Sequence, residues 1–377
     1  MDTSVYLGKL HLMNPVVVGA GPWCRDAATI QRCIDQKPGA VTTETITLEA
    51  NSYISPRMYV SGQQTLNTKM FSDLHLEQWE EELGGIRKGD CKLICSIWGN
   101  SPSELTYLTR KVIHMGADAV EISMAPPIRA RGTGMVPKII KDCLRAAVTA
   151  ADGVPVIAKI SYEACHSPEI MRSVREAGVQ IVTAINGLKG LIGIDIERQR
   201  SLMPTFGGFN GVSIHPLALA ATASLKQNTP FHICSCGGTM SYENVLEFIM
   251  LGASCVELAS VIQIEGYSVI SRIVGECEDW LKRHHYSNYF EIQGSALTSL
   301  HMFEDLKSCQ LGSTLISECK RTDCDICVRG CLYDGIYRDQ DGRIRTDRSR
   351  CSGCGHCVAR CPEHKLALNW EPSVVAE

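Results

Sequence analysis

The sequence predicts an α/β protein: a (β/α)8 TIM barrel followed by a small α+β domain. Over the first 300 residues or so, short apolar runs rich in β-branched residues alternate with stretches that carry apolar residues at helical spacing. In contrast, eight of the 19 cysteines lie between Cys319 and Cys361. These two observations predict a barrel at residues 1–300, a linker at 301–317 and a cysteine-rich domain at 318–377.

Eight short apolar runs are candidates for the barrel strands. They are Val16–Val18, Ala40–Thr43, Leu93–Ser96, Ala119–Ile122, Val156–Ile160, Ile181–Ala184, Phe231–Cys234 and Cys255–Leu258. Helical spacing between them is clearest at Ser103–Met115, Pro168–Ala177 and Ser241–Leu251. A doubly wound sheet is the alternative, but Gly19-Ala20-Gly21-Pro22 after the first strand does not match the G-x-G-x-x-G dinucleotide fingerprint.

Several loops after strands are candidates for the active-site face of the barrel. Two connections are long, from Ile46 to about Lys92 and from Asn186 to about Pro230. The first is expected to form a lid or dimer surface, or an insertion hairpin. Cys236-Gly237-Gly238 follows the seventh strand and Ala259-Ser260 follows the eighth, where barrels bind phosphate through backbone N–H groups. A Gly-Gly pair can also be an ordinary turn.

Composition narrows the class of protein. The chain has 377 residues, of which 45% are hydrophobic and 21% charged, with a net charge of −4. Slight acidity argues against sequence-independent nucleic-acid binding. The first ten residues resemble no secretory signal, and the apolar stretch from Phe248 to Ile262 is too short for a bilayer and contains Glu257. We therefore expect a cytoplasmic protein that binds neither nucleic acid nor membrane.

The cysteine-rich segment has the spacing of an iron–sulfur protein. Its last four cysteines read C-x2-C-x2-C-x3-C before Pro362, as in bacterial ferredoxins, and the upstream four read C-x4-C-x2-C-x3-C. This spacing predicts two [4Fe–4S] clusters in a ferredoxin-like domain. The first set of ligands is Cys319, Cys324, Cys327 and Cys361, and the second is Cys331, Cys351, Cys354 and Cys357. A pair of four-thiolate zinc sites is the alternative.

Four groups of motifs occur along the barrel segment. They are Asn14-Pro15 before Gly19-Ala20-Gly21-Pro22, Gly207-Gly208-Phe209-Asn210-Gly211 before Ile214-His215-Pro216, Cys236-Gly237-Gly238, and Glu247-Phe248-Ile249 before Gly252-Ala253-Ser254. Together these motifs resemble the dihydroorotate dehydrogenase family. The layout of a barrel plus two clusters is similar to the pyrimidine-reducing part of dihydropyrimidine dehydrogenase. The resemblance extends in order along nearly the whole chain, and it implies FMN at the top of the barrel.

By position, the resemblance also assigns cofactor contacts. It places Ala20 and Gly21 against the flavin ring, and Lys159 near the N1–O2 edge, where a cation stabilises reduced flavin. Asn186 would contact flavin or substrate. The phosphate contacts implied are Gly208, Gly237, Gly238, Ala259 and Ser260. An exposed lysine is the alternative for Lys159, but its position at the end of an apolar strand favours the flavin site.

The loop after the fourth strand departs from the family. The family has Asn-x-Ser-Cys-Pro there, or Ser in place of that Cys, and this residue transfers a proton. Here the segment is Ser123-Met124-Ala125-Pro126-Pro127, which places Pro126 at the proton-transferring position. Proline has no titratable side chain, so the acid–base step cannot occur at Pro126.

Positions implied for pyrimidine binding are changed as well. Ser123 and Ile128 replace two asparagines, and Gly187 replaces a hydroxyl residue. Glu44 replaces a lysine beside the flavin, which is expected to reverse the local charge. Asn67 matches a substrate asparagine, although a loop asparagine can also simply form a turn. Ser123 and Asn186 remain candidate substrate contacts. We therefore expect that dihydroorotate, uracil and thymine are not substrates.

Other residues are candidates for substrate binding and for the proton transfer that Pro126 cannot perform. Arg129 and Arg131 could bind a carboxylate or phosphate, although both could equally be solvated surface residues. A buried Glu44 would have a raised pKa and could donate or accept a proton. Cys165, His166 and His215 are weaker candidates for catalysis.

The favoured hypothesis is an FMN- and iron–sulfur-dependent oxidoreductase. It would transfer hydride between flavin N5 and a C=C or C=N bond of a small, anionic, non-pyrimidine substrate. Electrons would pass through the clusters to or from a separate NAD(P)H- and FAD-binding subunit or a ferredoxin, and we expect a homodimer or larger assembly. The alternatives are a flavin-dependent lyase or isomerase without net redox chemistry, and an electron-transfer subunit with an inactive barrel.

Overall fold

A computed structural model describes residues 1–50, 55–124, 136–301, 303–306, 312–319 and 321–368. The chain divides into two compact units, Met1–Leu297 and Thr298–Glu377. The first unit contains a closed barrel of eight parallel strands. This confirms the predicted (β/α)8 fold and excludes the doubly wound sheet, which is open. No helix in the described part of the chain is long and apolar enough to cross a membrane.

The barrel strands follow one another around the barrel in chain order. They are Val16–Val18, Ala40–Thr42, Lys92–Ile97, Ala119–Ser123, Val156–Ile160, Ile181–Ala184, His232–Cys236 and Cys255–Leu258. Pairing between Val256 and Val16 joins the eighth strand to the first and closes the barrel. Both faces of these strands are buried, which explains why they appear in the sequence as continuous apolar runs rather than as alternating patterns. The seventh strand extends to Cys236, two residues beyond its predicted end.

Helices follow the strands and surround the barrel. The α-helices of this unit are Ala27–Ile34, Leu76–Gly84, Pro102–His114, Pro137–Ala150, Tyr162–Cys165, Pro168–Glu176, His215–Asn228, Tyr242–Met250, Ser260–Glu265 and Ser268–Arg283. The three predicted helices agree with the structure to within one residue at each end. The start of the helix Pro102–His114 is specified by its sequence. The Ser101 hydroxyl accepts a hydrogen bond from the Glu104 N–H, and Pro102 occupies the first turn. Short 3-10 segments lie at Pro22–Cys24, Val212–Ile214, Tyr289–Glu291, Ser295–Ser299 and Phe303–Asp305.

The two long connections meet in one antiparallel sheet. Its strands, in spatial order, are Leu188–Gly190, Gly207–Gly211, Gln64–Asn67 and Met58–Ser61. The insertion hairpin expected in the first connection is therefore present, and Asn67 pairs with Gly208 of the second connection. Two further hairpins are Val5–Leu7 with Leu10–Leu12, and Ile194–Asp195 with Arg200–Ser201.

The second unit is a small α+β domain. It has two antiparallel strand pairs, Ser313–Leu315 with Leu366–Leu368 and Ile336–Arg338 with Ile344–Thr346. Two short helices carry cysteines, Ile326–Arg329 and His356–Arg360. The strand at Ser313–Leu315 lies within the segment expected to be a linker.

Asn14 joins the first two barrel strands, and its replacement tests that role. The buried Asn14 side chain accepts hydrogen bonds from the Val16 and Gly39 N–H groups at 3.1 and 3.0 Å and donates to the Lys37 carbonyl at 3.0 Å. Asn14→Ala removes the side-chain partner of the Val16 N–H and the Lys37 carbonyl, whereas the Gly39 N–H keeps its hydrogen bond to the Val16 carbonyl at 2.8 Å. We therefore expect the free energy of unfolding to fall by about 1–3 kcal/mol and the melting temperature of the barrel to fall with it. The exposed Asn228→Ala control should change stability by less than about 0.5 kcal/mol. Equal melting temperatures for the two variants would contradict this role.

Candidate active site

An open cavity of about 980 Å³ lies at the carboxyl ends of the barrel strands, beside the antiparallel sheet. Parallel strands that close into a barrel direct all their carboxyl ends to one rim, which explains why distant sequence segments meet there. The predicted residues that line the cavity are Ala20, Gly21, Glu44, Asn67, Ser123, Lys159, Asn186, Gly208, Ala259 and Ser260. Arg129, Arg131, Pro126 and Ile128 lie outside the described residues.

Lys159 belongs to a buried charge cluster with Glu121 and Glu257. Its Nζ lies 2.8 Å from Glu257 Oε2 and 3.7 Å from Glu121 Oε1. The exposed fractions are 6% for Lys159, 1% for Glu121 and 2% for Glu257. The alternative of an exposed Lys159 is therefore wrong. The sequence does not show that the two glutamates are partners of Lys159. Each lies on a different strand, and the identity of its neighbour across the barrel depends on the fold.

Burial and the neighbouring charges act in opposite directions on the pKa values of Glu121 and Lys159. Burial raises the pKa of Glu121 to about 7, although Lys159 opposes the shift. Burial alone would lower the pKa of Lys159, but the two carboxylates hold it well above its ordinary value. The Ser96 hydroxyl donates to Glu121 Oε1 at 3.1 Å, and Ser96 in turn contacts the Thr45 hydroxyl at 3.1 Å. The cluster thus has one ammonium for two carboxylates.

A second set of charges, the Glu44 network, lies on another side of the cavity. Glu44 is 5% exposed, and its two carboxylate oxygens lie 2.7 and 2.8 Å from Lys69 Nζ. Lys69 also pairs with Asp73 at 3.0 Å, and Asp73 binds the Arg57 guanidinium through both oxygens. Burial raises the pKa of Glu44, and Lys69 partly offsets this shift.

The Glu44 network corrects one expectation. Replacement of lysine by Glu44 was expected to reverse the local charge, but Lys69 supplies a cation at the same place. The pairing of Lys69 with Glu44 is not evident in the sequence, because the hairpin between these two residues brings together positions 25 apart. The position of Lys69 two residues after Asn67, in the loop that carries a candidate substrate contact, was the available signal.

Two amides line the cavity from the antiparallel sheet. Asn67 Oδ1 accepts a hydrogen bond from the Lys69 N–H at 2.8 Å, so Asn67 forms a turn and also faces the site. Asn210, which the sequence analysis did not single out, donates to the Gly208 carbonyl at 2.8 Å. A Cβ at Gly187 would lie 2.5 Å from Asn210 Oδ1. Glycine at that position therefore makes room for an amide.

The glycine pair after the seventh strand has a conformation that requires glycine. Gly237 and Gly238 have φ values of +136° and +72°, and a Cβ at Gly238 would lie 2.7 Å from the His215 backbone nitrogen. The His215 ring contacts the Gly237 carbonyl at 3.2 Å and Glu247 at 2.8 Å. His215 thus supports this loop and is not among the residues that line the cavity.

Gln263 supplies an unpaired acceptor at the cavity. Its Oε1 is buried and has no hydrogen-bond partner within the described part of the structure. A buried acceptor of this kind usually has a partner, so its position indicates a ligand that donates a hydrogen bond. Cys165 and His166 lie elsewhere, along a groove bordered by helix Pro168–Glu176.

In the second unit, four cysteines surround a smaller cavity of about 320 Å³. Cys331, Cys351, Cys354 and Cys357 line it, and these are the four predicted to share a cluster. The Ser313 N–H points to Cys351 Sγ at 3.4 Å, and this hydrogen bond lowers the pKa of Cys351. The Gly335 N–H lies 3.3 Å from Cys331 Sγ.

Three further cysteines of that unit form a second group, and no contact joins Cys324, the fourth predicted ligand, to them within the described residues. Cys319, Cys327 and Cys361 lie close enough for their thiols to interact electrostatically, and burial raises the pKa of Cys327. The Lys365 N–H lies 3.3 Å from Cys361 Sγ. Among the residues with described positions, no three His, Cys, Asp or Glu side chains are grouped to hold a single metal ion.

Comparison with known proteins defines the family. A closed parallel barrel with a polar, charged cavity at its carboxyl rim has the architecture of a TIM-barrel enzyme. Residues 3–281 match the family model of dihydroorotate dehydrogenase, so the chain belongs to the dihydroorotate dehydrogenase family. It is accordingly a flavoprotein oxidoreductase that acts on CH–CH groups.

Similar curated proteins are catalytic subunits of dihydroorotate dehydrogenase B (NAD(+)). The protein of Pyrococcus abyssi is 29% identical over 302 residues, which cover 78% of this chain and 99% of the relative. That of Thermoplasma volcanium is 25% identical, with the same coverage. That of Methanocaldococcus jannaschii is 28% identical, covering 72% of this chain and 91% of the relative. The family match ends at residue 281, before the cysteine-rich unit.

The buried charge cluster makes a pH-dependent stability testable. Folding raises the pKa of the Glu121 carboxyl to about 7. Such a group contributes fully to stability when the pH is below its pKa in the unfolded chain. The contribution is lost as the pH rises through about 7. Glu121→Gln removes this dependence. We expect the melting temperature of the wild type, relative to Glu121→Gln, to be higher at pH 5 than at pH 8. A difference that is equal at both pH values, as expected for the non-titrating Asn228→Ala, would contradict it.

Proposed function

We propose that the chain is an FMN- and iron–sulfur-dependent oxidoreductase that transfers hydride between flavin N5 and a C=C or C=N bond of a small, anionic, non-pyrimidine molecule. The observation that carries this proposal is the single cavity that brings together Lys159, the implied ring contacts Ala20 and Gly21, and the implied phosphate contacts Gly208, Ala259 and Ser260. These residues come from strands and loops across the whole barrel.

The residues present fit a flavin nucleotide. Gly237 and Gly238 do not themselves line the cavity, but only glycine fits their positive φ values and their close packing against Ala218 and His215. In this loop conformation backbone N–H groups could approach a phosphate. The unpaired Gln263 Oε1 offers an acceptor to a flavin or ribityl donor. Asn186 would contact the flavin or the substrate. When bound, FMN supplies hydride transfer at N5; the protein supplies binding, orientation and protons.

The Glu44 network is proposed to move the proton that accompanies hydride transfer. Pro126 cannot do so, and Glu44 is a cavity-lining carboxyl whose pKa is raised by burial. Lys69 connects Glu44 to Asp73, whose side chain is 38% exposed. Protons could therefore be exchanged between solvent and Glu44 through Lys69 and Asp73.

The proposed substrate differs from that of the relatives, whose names specify dihydroorotate. At the cavity, Ser123 stands where the family pattern has an amide, and Glu44 with Lys69 stands where it has a lone lysine. Lys69 and Lys159 are each already paired with two carboxylates. Arg129 and Arg131 are therefore proposed to bind the substrate anion, with Asn67, Ser123 and Asn186 as further contacts.

The second unit is proposed to hold two [4Fe–4S] clusters. The ligands would be Cys331, Cys351, Cys354 and Cys357 for one cluster, and Cys319, Cys324, Cys327 and Cys361 for the other. Support comes from the four-cysteine cavity and from N–H groups directed at three of the sulfurs, since such hydrogen bonds tune cluster potentials.

The electron partner is proposed to be a separate protein, either an NAD(P)H- and FAD-binding subunit or a ferredoxin. The relatives are named catalytic subunits, a description that implies a companion subunit in their enzymes. We also propose that the chain forms a homodimer or larger assembly and that it works in the cytoplasm.

Cofactor content of the anaerobically purified chain tests this proposal. We expect about one FMN and about eight irons per chain, with visible bands that bleach on reduction by dithionite. The double variant Cys351→Ala and Cys354→Ala should retain FMN and hold about four irons, because it lacks two ligands of one cluster. The matched control Cys143→Ala, which removes a buried barrel thiol, should retain all eight. Stoichiometric zinc without flavin would overturn both cofactor assignments.

Reoxidation of the reduced flavin tests the proposed class of substrate. The chain, reduced anaerobically with stoichiometric dithionite, is mixed with small unsaturated carboxylates and, separately, with orotate, uracil and thymine. We expect a carboxylate outside the pyrimidine class to reoxidise the flavin and the three pyrimidines to fail. Arg129→Met should raise the half-saturating concentration of that acid by about tenfold or more, through loss of a charged hydrogen bond. Rapid reoxidation by orotate, or conversion of substrate without electron uptake, would contradict the proposal.

A further inference from the structure

Glu257 occupies an unusual position for a carboxylate. It lies on the eighth barrel strand, is 2% exposed, and points into the barrel toward Lys159. A Cβ built on Gly19 would lie 2.7 Å from Glu257 Oε2, so the carboxylate lies directly against the Gly19 backbone. Gly19 immediately precedes Ala20 and Gly21, the residues proposed to contact the flavin ring. The carboxylate is therefore adjacent to both the cation and the backbone of the proposed flavin site.

The charges around Lys159 do not favour an anionic flavin as a lone lysine would. A free ammonium beside a flavin stabilises added negative charge, and the effect is strong where solvent is excluded. Here Glu257 at 2.8 Å and Glu121 at 3.7 Å offset that ammonium. The Glu257 carboxylate alone balances the ammonium, and the negative charge that Glu121 carries as pH rises above about 7 adds to it. No surplus positive charge is therefore left for the cofactor.

The other groups that face this cluster carry no compensating charge. Ser96 on the third strand and Thr183 on the sixth are hydroxyls that hydrogen-bond with Glu121. Cys236 on the seventh strand is buried, and burial raises the pKa of its thiol well above the ordinary value, so it stays neutral. The electrostatic field at this part of the cavity is therefore set by Lys159, Glu121 and Glu257.

We propose that Glu257, assisted by Glu121, lowers the reduction potential of the bound flavin and thereby favours hydride donation to the substrate over hydride acceptance. This inference rests on the proposed FMN site. It assigns Glu257 a positioning role, because the residue acts through Lys159 rather than by contact with the reacting atoms. It also assigns the enzyme a direction, the reduction of its substrate with electrons from a low-potential carrier.

The flavin potential of the holoprotein tests this inference without any substrate. Anaerobic spectroelectrochemical titration of wild type, Glu257→Gln, Glu121→Gln and the double variant would compare them at one pH. Glu257→Gln should shift the equilibrium toward reduced flavin by at least tenfold, which is about 30 mV for a two-electron couple. Glu121→Gln should have a smaller effect, since it lies farther from Nζ, and the double variant the largest. Glu80→Gln, the same change at an exposed ion pair with Lys111, should have no effect.

A measurement on the wild-type protein tests the inference even when the variants fold poorly. The wild-type flavin should have a lower potential than free FMN under the same conditions, and a value equal to or above it would overturn the inference. Unchanged potentials in Glu257→Gln and the double variant, with full FMN content, would overturn the role of Glu257 and leave the proposed function standing. A wild-type chain that binds no FMN would overturn both.

Discussion

Closure of the eight parallel strands is the constraint on which the rest of the structure depends. Hydrogen bonding between the eighth strand and the first, at Val256 and Val16, directs every strand's carboxyl end to one rim. Residues as distant in sequence as Ala20 and Ser260 then line one cavity. The antiparallel sheet forms at the same rim, because the two long connections both leave from strand ends located there.

The pairing of buried charges determines which charges the cavity can offer to a ligand. Lys159 is held between Glu121 and Glu257, and Glu44 is held by Lys69. Isolated charges at these depths would be costly, so each needs a partner, and the choice of partner determines which charge remains for a ligand. We propose that the first group acts on the flavin and that the second exchanges protons with the substrate. Under this proposal the two functions lie on different sides of one cavity.

The fold was predictable because burial on both faces makes parallel strands continuous apolar runs. All eight strands lie within a residue or two of their predicted positions, and capping residues such as Ser101 determine where helices start. The site was only partly predictable. Motif residues such as Lys159 could be placed from the resemblance, whereas the sequence does not show what Lys69, Asn210 and Gln263 face. The positions of Lys69 and Asn210 depend on the register that pairs Asn67 with Gly208, and Gln263 reaches the cavity from the helix Ser260–Glu265.

The sequence by itself determined the barrel, its family and the cysteine spacing, since these depend on patterns within short segments and on the order of motifs along the chain. Tertiary structure alone decided the charge balance of the cavity. The carboxylate at Glu44 suggested a reversed charge until the fold brought Lys69 against it, and Lys159 suggested a free cation until Glu257 paired with it. Electrostatic energy depends on distance in space and on burial, and neither quantity is written in the order of residues.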